Sequence, residues 1–461
     1  MKYSYLLLLT LFSYASHAAV YYVSTTGNNT NSGSQASPWL TLQSAADRVA
    51  AGDTVNVLPG DYAPFHIIRS GTAPNRITFI SQNKLGAKII GNESFGGREA
   101  GIHITADYIT VEGFDIVSSG TPSASASGER GIRVSGSSAD FNQGVTLRSN
   151  RVTGAGWVGI TTSYANDVVI EYNECSYSVS QHGIYVANSA DRPIIRGNIL
   201  HHNNMAGLHV NGDLPIGPGG PDGVDGIISA ALIENNIIYA NNSGSCSSAI
   251  NLDGVDNSII RNNLIYNEPC QGISNFREDG GGGSNNNKIL NNTLVMAPAA
   301  SHALKFRNGS INGYVRNNIL IQQGSNGVAL AFDAASITGI NSNNNIIIHT
   351  GNANNAIEGY SGLAGWQNAS GQDANSFAVT GTAANILAQI FINPTFTPAT
   401  ANYSLLANSP AVDAGINVAD AVTDIDGYPR PAGVRTDIGA YEYGADVAAM
   451  PIPQNVTITK N

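Results

Sequence analysis

GIYVANSADRPIIRGNILHHNNMAGLHVN, positions 183 to 211, contains two phrases that return along most of the chain. The first is an asparagine that closes a short phrase and is followed at once, or one residue later, by an apolar residue, here Asn198-Ile199. It recurs at Asn150, Asn173, Asn236, Asn263, Asn292, Asn318 and Asn345, at intervals of 23, 25, 38, 27, 29, 26 and 27 residues. All but one of these intervals fall within the period of a solenoid repeat. The second is a small residue, an aliphatic and a variable residue, as in Gly183-Ile184-Tyr185 and Gly207-Leu208-His209. It returns as Gly101-Ile102-His103, Gly131-Ile132-Arg133, Gly159-Ile160-Thr161, Ala249-Ile250-Asn251, Gly272-Ile273-Ser274, Ala303-Leu304-Lys305 and Gly327-Val328-Ala329.

Side chains alternate across a strand, so the aliphatics of each phrase point one way and the variable third residue points the other. If each repeat is one coil, the aliphatics stack inside and the variable residues form an outer column. This pattern predicts an all-β protein, a parallel β-helix solenoid with a short N-terminal capping helix. Asparagine side chains bond their own backbone in tight turns and tolerate left-handed geometry, so the repeating asparagines read as structural.

Composition agrees with many short strands and tight turns: 51 glycines and only 12% charged residues in 461. The net charge of −11 gives no basic face for nucleic acid. Met1-Lys2, the apolar run Leu6 to Phe12 and the ending Ala15-Ser16-His17-Ala18 read as a cleavable signal over 1–18. That run is too short for a membrane span, so the expected destination is the periplasm or the exterior. In such a compartment Cys246 and Cys270, 24 residues apart on neighbouring coils, suit a bridge, with Cys175 left as a buried thiol.

The β-helix and its cap are expected over 19–349, with C-terminal coils and a terminal module over 350–461. Leu42, Ala45, Ala46 and Val49 have helical spacing, and a helix there would cover the open apolar end of the stack. Two inserts break the period. One runs from Asn211 to Gly226 with Pro215, Pro218, Pro221, Asp222 and Asp225; the other is Arg277-Glu278-Asp279 followed by Gly280 to Gly283. Inserts on an economical coil tend to wall a groove. The stretches Asp426-Gly427-Tyr428-Pro429-Arg430 and Asp437-Ile438-Gly439-Ala440-Tyr441-Glu442 resemble a terminal module of many secreted bacterial β-helix proteins. The resemblance implies that Asp426, Arg430, Asp437 and Glu442 serve the fold.

In stacking order the outer column reads His103, Arg133, Thr161, Tyr185, His209, Asn251, Ser274, Lys305 and Ala329. Beside it run Thr105, Ser135, Ser163, Ala187, Asn211, Asp253, Phe276, Arg307 and Ala331. A stripe concentrating Tyr, His, Asp, Lys and Arg on an extended surface suits a long polymer, and polysaccharide fits an exported protein. His182, Asn211, Asn251 and Arg133 are the expected substrate contacts.

At this point the chain resembles the right-handed parallel β-helix polysaccharide lyases, and more narrowly lyases of the pectate lyase family nine type. Ala303-Leu304-Lys305-Phe306 is similar to that family's lysine strand, and Asn251-Leu252-Asp253-Gly254-Val255-Asp256 to its aspartate segment. The resemblance implies Lys305 as a base and a bound calcium ion as cofactor, with Asp213, Asp253, Asp256 and Asp279 as its ligands. Gly183-Ile184-Tyr185 is similar to the tyrosine strand of some alginate-cleaving β-helix lyases.

The chemistry stands independently of family. Elimination across C4 and C5 of a 4-linked uronate needs a cation on the carboxylate and a base at the C5 proton. Lysine serves as that base where positive neighbours or desolvation lower its pKa. Lys305 with Arg307 on its strand and Arg277 one coil earlier offers this set, and Tyr185 with His209 offers a second acid/base pair. The expected function is therefore a secreted lyase acting as a monomer on an anionic polysaccharide, alginate or pectate. A uronate C5-epimerase, a glycoside hydrolase and a non-catalytic glycan-binding surface protein remain alternatives, and Asp253 shows no acidic neighbour in its own column.

Overall fold

A computed structural model describes residues 18–118, 128–214 and 224–444. The signal segment, apart from Ala18, and Pro215 to Asp222 lie outside the described residues. The backbone winds into a parallel β-helix whose coils each add a strand to three parallel sheets, one of 12 strands and two of 11. One sheet takes in successive coils the strands Glu99–Ile104, Arg130–Ser135, Val158–Ser163, Ile184–Ala187, Leu208–Asn211, Ser248–Asp253, Gln271–Phe276 and His302–Phe306. It is called the trough sheet below. Its inward aliphatics Ile160, Ile184, Leu208, Ile250, Ile273 and Leu304 stack in register with no exposed surface. Burial of each contributes about 1.5–3 kcal/mol, which is why the repeat selects an aliphatic there.

The asparagines form a continuous interior ladder from Asn150 through Asn173, Asn198, Asn236, Asn263, Asn292 and Asn318 to Asn345. Each rung donates its backbone N–H and its side-chain Nδ2 to the Oδ1 of the next. Asn198, for example, donates both to Asn236 Oδ1 at 3.0 Å, and its Nδ2 also donates to Ile170 O at 2.9 Å. Two details differ from the sequence expectation. The bonds run between coils rather than to the residue's own turn. The left-handed residue is the one before the ladder asparagine, as at Tyr172 (φ 57), Asn235 (φ 58) and Asn291 (φ 51). A carboxamide can satisfy two donors and one acceptor of neighbouring coils only if it points inward, and the preceding residue must make the turn.

At the N-terminal end the helix Leu42–Ala46 is shorter than its apolar spacing suggested. It is capped by Thr41, whose hydroxyl accepts from Ser44 N–H, and Leu42, Ala45, Ala46 and Val49 close the stack. At the other end Trp366, on the helix Gly362–Ser370, stacks on Phe332 with centroids 5.3 Å apart. In the terminal module Arg430 and Glu442 pair at 2.7 Å with no exposed side-chain surface, and Asp437 accepts from Asp413 N–H and Tyr443 N–H. The module rests on the flank of the coils through Lys288–Asp420 and Asn291 Nδ2 to Asp437 O. Cys246 and Cys270 are bridged, and Cys175 is a buried thiol. Among the described residues no helix is long and apolar enough to cross a membrane.

One register expectation is corrected. Lys305 pairs with Ala331, not Ala329, because Leu304 faces Leu330 and His302 faces Val328. The slip is two residues, which keeps every side chain on its face and so left the periodic pattern unbroken.

Candidate active site

On the trough sheet the outer column follows the order read from the sequence from His103 through Arg133, Thr161, Tyr185, His209, Asn251 and Ser274 to Lys305. Beside it Asn211 faces Asp253, which faces Phe276. The structure adds His66 below His103, the rings stacked 4.5 Å apart at 10°. Phe65-His66-Ile67 carries the same alternation, but Pro64 stands before it where the other phrases have a glycine or alanine.

At this lower end Arg133 is buried, with Nε and Nη1 lacking a hydrogen-bond partner among the described residues. Burial, then the charge of Arg98, brings its pKa down to about 10. Burial, then His66 and the arginines around it, brings His103 down to about 3, so it is neutral and shares Nε2 with Ser135 Oγ at 2.8 Å. Arg130 lies over the Trp157 ring at 4.0 Å, and Trp157 meets Tyr185 edge-on.

In the centre Tyr185 stacks on His209, and His182 packs against both, with His182 Nε2 3.1 Å from His209 Nδ1. Asn211 Nδ2 donates to the Tyr185 hydroxyl at 3.3 Å. Burial, then the charge of Asp213, raises the tyrosine pKa, so its hydroxyl stays protonated. His182 and Asn211 are each 3% exposed and Arg133 5%, so of the four expected substrate contacts Asn251 alone keeps an appreciable surface toward the trough. Asn251 is half-buried between His209 and Ser274.

The inserts bring acidic groups to this centre. Asp253 Oδ1 accepts from Glu278 N–H at 2.8 Å and Gly280 N–H at 3.2 Å, and its Oδ2 accepts from Asp279 N–H at 3.2 Å. Burial is the first cause that raises Asp253 to about 6, and the Asp279 carboxylate adds to it. Burial and Asp279 also raise Asp213, which accepts from Asn188. Asp253 therefore does have an acidic neighbour, supplied by a loop and not by its column. Asp256 lies elsewhere, on the short strand Val255–Asp256, accepting from Ser229 Oγ at 2.7 Å.

These four aspartates do not form the ligand set that the resemblance implies. Among the described residues no three His, Cys, Asp or Glu side chains converge as a metal site. Asp253 already spends its oxygens on backbone donors that hold the glycine-rich loop.

At the upper end Lys305 stands half-buried with Nζ 5.4 Å from the centre of the Phe276 ring. Burial, then Arg307, brings its amine down to about 8. Burial and the same two cations bring His302 to about 4. Arg307 is ion-paired through Nη2 with Glu358 from the segment beyond the last coil, and its charge acts on Lys305. Arg277 is exposed, donates Nε to Gly280 O, and makes no ion pair among the described residues. Tyr185 and Lys305 are four strands apart, roughly 19 Å at parallel spacing, so the two centres cannot share one reacting bond.

A family model described as the Pel9A-like, right-handed β-helix region matches residues 21–178, the N-terminal coils. The hand given there is the one a right-twisted parallel strand favours. Pectate lyase Pel9A is similar in fold, with 16% identity, 93% of this chain and 97% of that one covered, and a TM-score of 0.60. A structure described as a glycoside hydrolase is similar at 13% identity over 78% and 96%, with a TM-score of 0.52. An alginate lyase from Paenibacillus sp. str. FPU-7 has 19% identity over 65% and 96%, with a TM-score of 0.44. No curated protein matches the chain. The chain thus has a β-helix fold shared by polysaccharide lyases and glycoside hydrolases.

Proposed function

We propose that the chain is an exported polysaccharide lyase that cleaves a uronate-containing polysaccharide, alginate or pectate, by β-elimination, with Lys305 as the base. The observation that carries this reading is the Lys305 amine on the trough floor. It has no carboxylate partner among the described residues and lies against the Phe276 ring beside Arg307. At about 8 its pKa leaves a useful fraction of free amine near neutral pH, which an ordinary lysine lacks. The amine takes the C5 proton, the electrons form the C4–C5 double bond, and the C4–O bond breaks. The leaving oxygen takes up a proton from the lysine ammonium or from water. Arg277, which makes no ion pair among the described residues, neutralises the carboxylate while charge builds on it.

The Tyr185 and Arg133 regions lie on the same face and serve in this reading as further subsites for the polymer. The chain's bridged cysteines support an oxidising compartment, and hence export. Incubation with alginate or pectate, with and without chelator, should produce the ultraviolet absorbance of the unsaturated sugar. No absorbance with any polyuronate would remove the lyase reading.

A hydrolase is the second reading, favoured by the carboxylates of Asp213, Asp253 and Asp279 grouped beside Tyr185. Paired carboxylates about 5–10 Å apart are what glycoside hydrolysis needs. New reducing ends without unsaturation would select it.

A further inference from the structure

The two histidines beside Tyr185 constrain where their protons sit. The Ala206 backbone N–H donates to His182 Nδ1 at 3.2 Å, so that nitrogen presents a lone pair. His182 is buried, and burial with the neighbouring His209 drives its pKa well below the ordinary value, which keeps the ring neutral. A neutral imidazole with a bare Nδ1 carries its proton on Nε2. Nε2 lies 3.1 Å from His209 Nδ1 and therefore donates to it. Burial brings His209 to about 4, so it too is neutral, and with Nδ1 accepting it must carry its proton on Nε2. That nitrogen is buried and has no hydrogen-bond partner among the described residues.

An orphaned buried donor costs about 1–3 kcal/mol, so it marks a position where a ligand atom is missing. The charge of Asp279 acts on the same ring. A buried N–H donor that lacks an acceptor is complementary to a hydroxyl oxygen, which accepts from it.

We propose that His209 is a fixed hydrogen-bond donor to a sugar hydroxyl of the bound polymer, and that buried His182 is the positioning residue that holds it in this tautomer. His209 is then no base, since its only lone pair is engaged by His182. The ligand class rests on the reading under Proposed function; the tautomer does not.

The test uses the full chain labelled with 15N-histidine, with the His209→Gln variant identifying the His209 signals at neutral pH. His209 should show a protonated Nε2 and a bare Nδ1, and His182→Phe should release a measurable Nδ1–H fraction. A wild-type His209 protonated at Nδ1, or an unchanged ratio in folded His182→Phe, overturns the proposal. If His182→Phe does not fold, the wild-type spectrum decides. Titrating Lys305→Ala with alginate or pectate oligomers should shift the His209 Nε2–H signal, and binding without that shift also overturns it. Failure of those oligomers to bind, with the tautomer as stated, instead removes the polyuronate reading.

Discussion

Tyr185 lies nearly flat on His209, ring centroids 4.9 Å apart and planes 18° from parallel, on adjacent strands of the trough sheet. The pair looks like an acid and a base in sequence, yet each member is held as a donor. The tyrosine hydroxyl accepts from Asn211 and keeps its own proton, and the histidine's lone pair is engaged from below.

Tyr185→Phe should therefore raise KM and leave kcat nearly unchanged, since the ring stack survives and only a binding hydroxyl is lost. Steady-state kinetics on a polyuronate separates the two. A collapse of kcat with KM unchanged would move the reacting centre to Tyr185.

Lys305→Ala should lower kcat by at least about 10²-fold, the usual contribution of a general base. Thermal unfolding should change little, because the half-buried amine has no ion pair to lose among the described residues. Activity within a few-fold of wild type would dismiss Lys305 as the base.

The pH profile follows from the same amine. Only the neutral form takes a proton, so kcat/KM should rise with pH through about 8. Arg307→Gln removes a nearby positive charge and releases Glu358, and both effects raise the lysine pKa. The rising limb should then move to higher pH, and a limb that stays in place would show that Arg307 does not tune it.

The fold was legible because each coil writes the same two requirements into the chain. An inward carboxamide is needed at Asn198 or Asn263, and an inward aliphatic at Ile184 or Leu208. The trough column was legible for the same reason, since the residue after the aliphatic must face outward. Contacts outside the period were not legible. Asp279 and His182 read as site residues, but not that the Asp279 N–H donates to Asp253 or that His182 Nε2 meets His209, and Glu358, which reaches Arg307 from beyond the last coil, carries no signal. Such contacts depend on loop paths, which no repeat encodes.

Asn236→Ala tests the ladder directly. It strips the acceptor from Asn198 N–H and one of the two acceptors of Asn198 Nδ2, a side-chain donor from Ile195 O, and one of the two donors to Asn263 Oδ1, which keeps the backbone N–H of residue 236, all of them buried. At about 1–3 kcal/mol for each group left unpaired, the loss should be on the order of 3 kcal/mol or more. An equilibrium unfolding curve reads it, and a loss below 1 kcal/mol would mean that water replaces the amide.

A shorter interior ladder runs from Ser178 through Asn203 and Asn241 to Glu268, which ends it with a carboxylate that has no exposed surface. Asn241 N–H, Asn241 Nδ2 and Asn242 Nδ2 all donate to that carboxylate, and burial still outweighs them, raising its pKa to about 7. The folded state then holds a proton that the unfolded chain releases above the ordinary carboxylate range. Stability from this group is complete below about pH 4.5 and is lost as pH rises through about 7, on the order of 3 kcal/mol in all. Glu268→Gln has no such proton, so the difference in unfolding free energy between wild type and variant should swing toward the variant from pH 5 to pH 8. A difference that stays constant over that range would mean that the three amide donors keep Glu268 ionised throughout, and the ladder would then end in a buried charge.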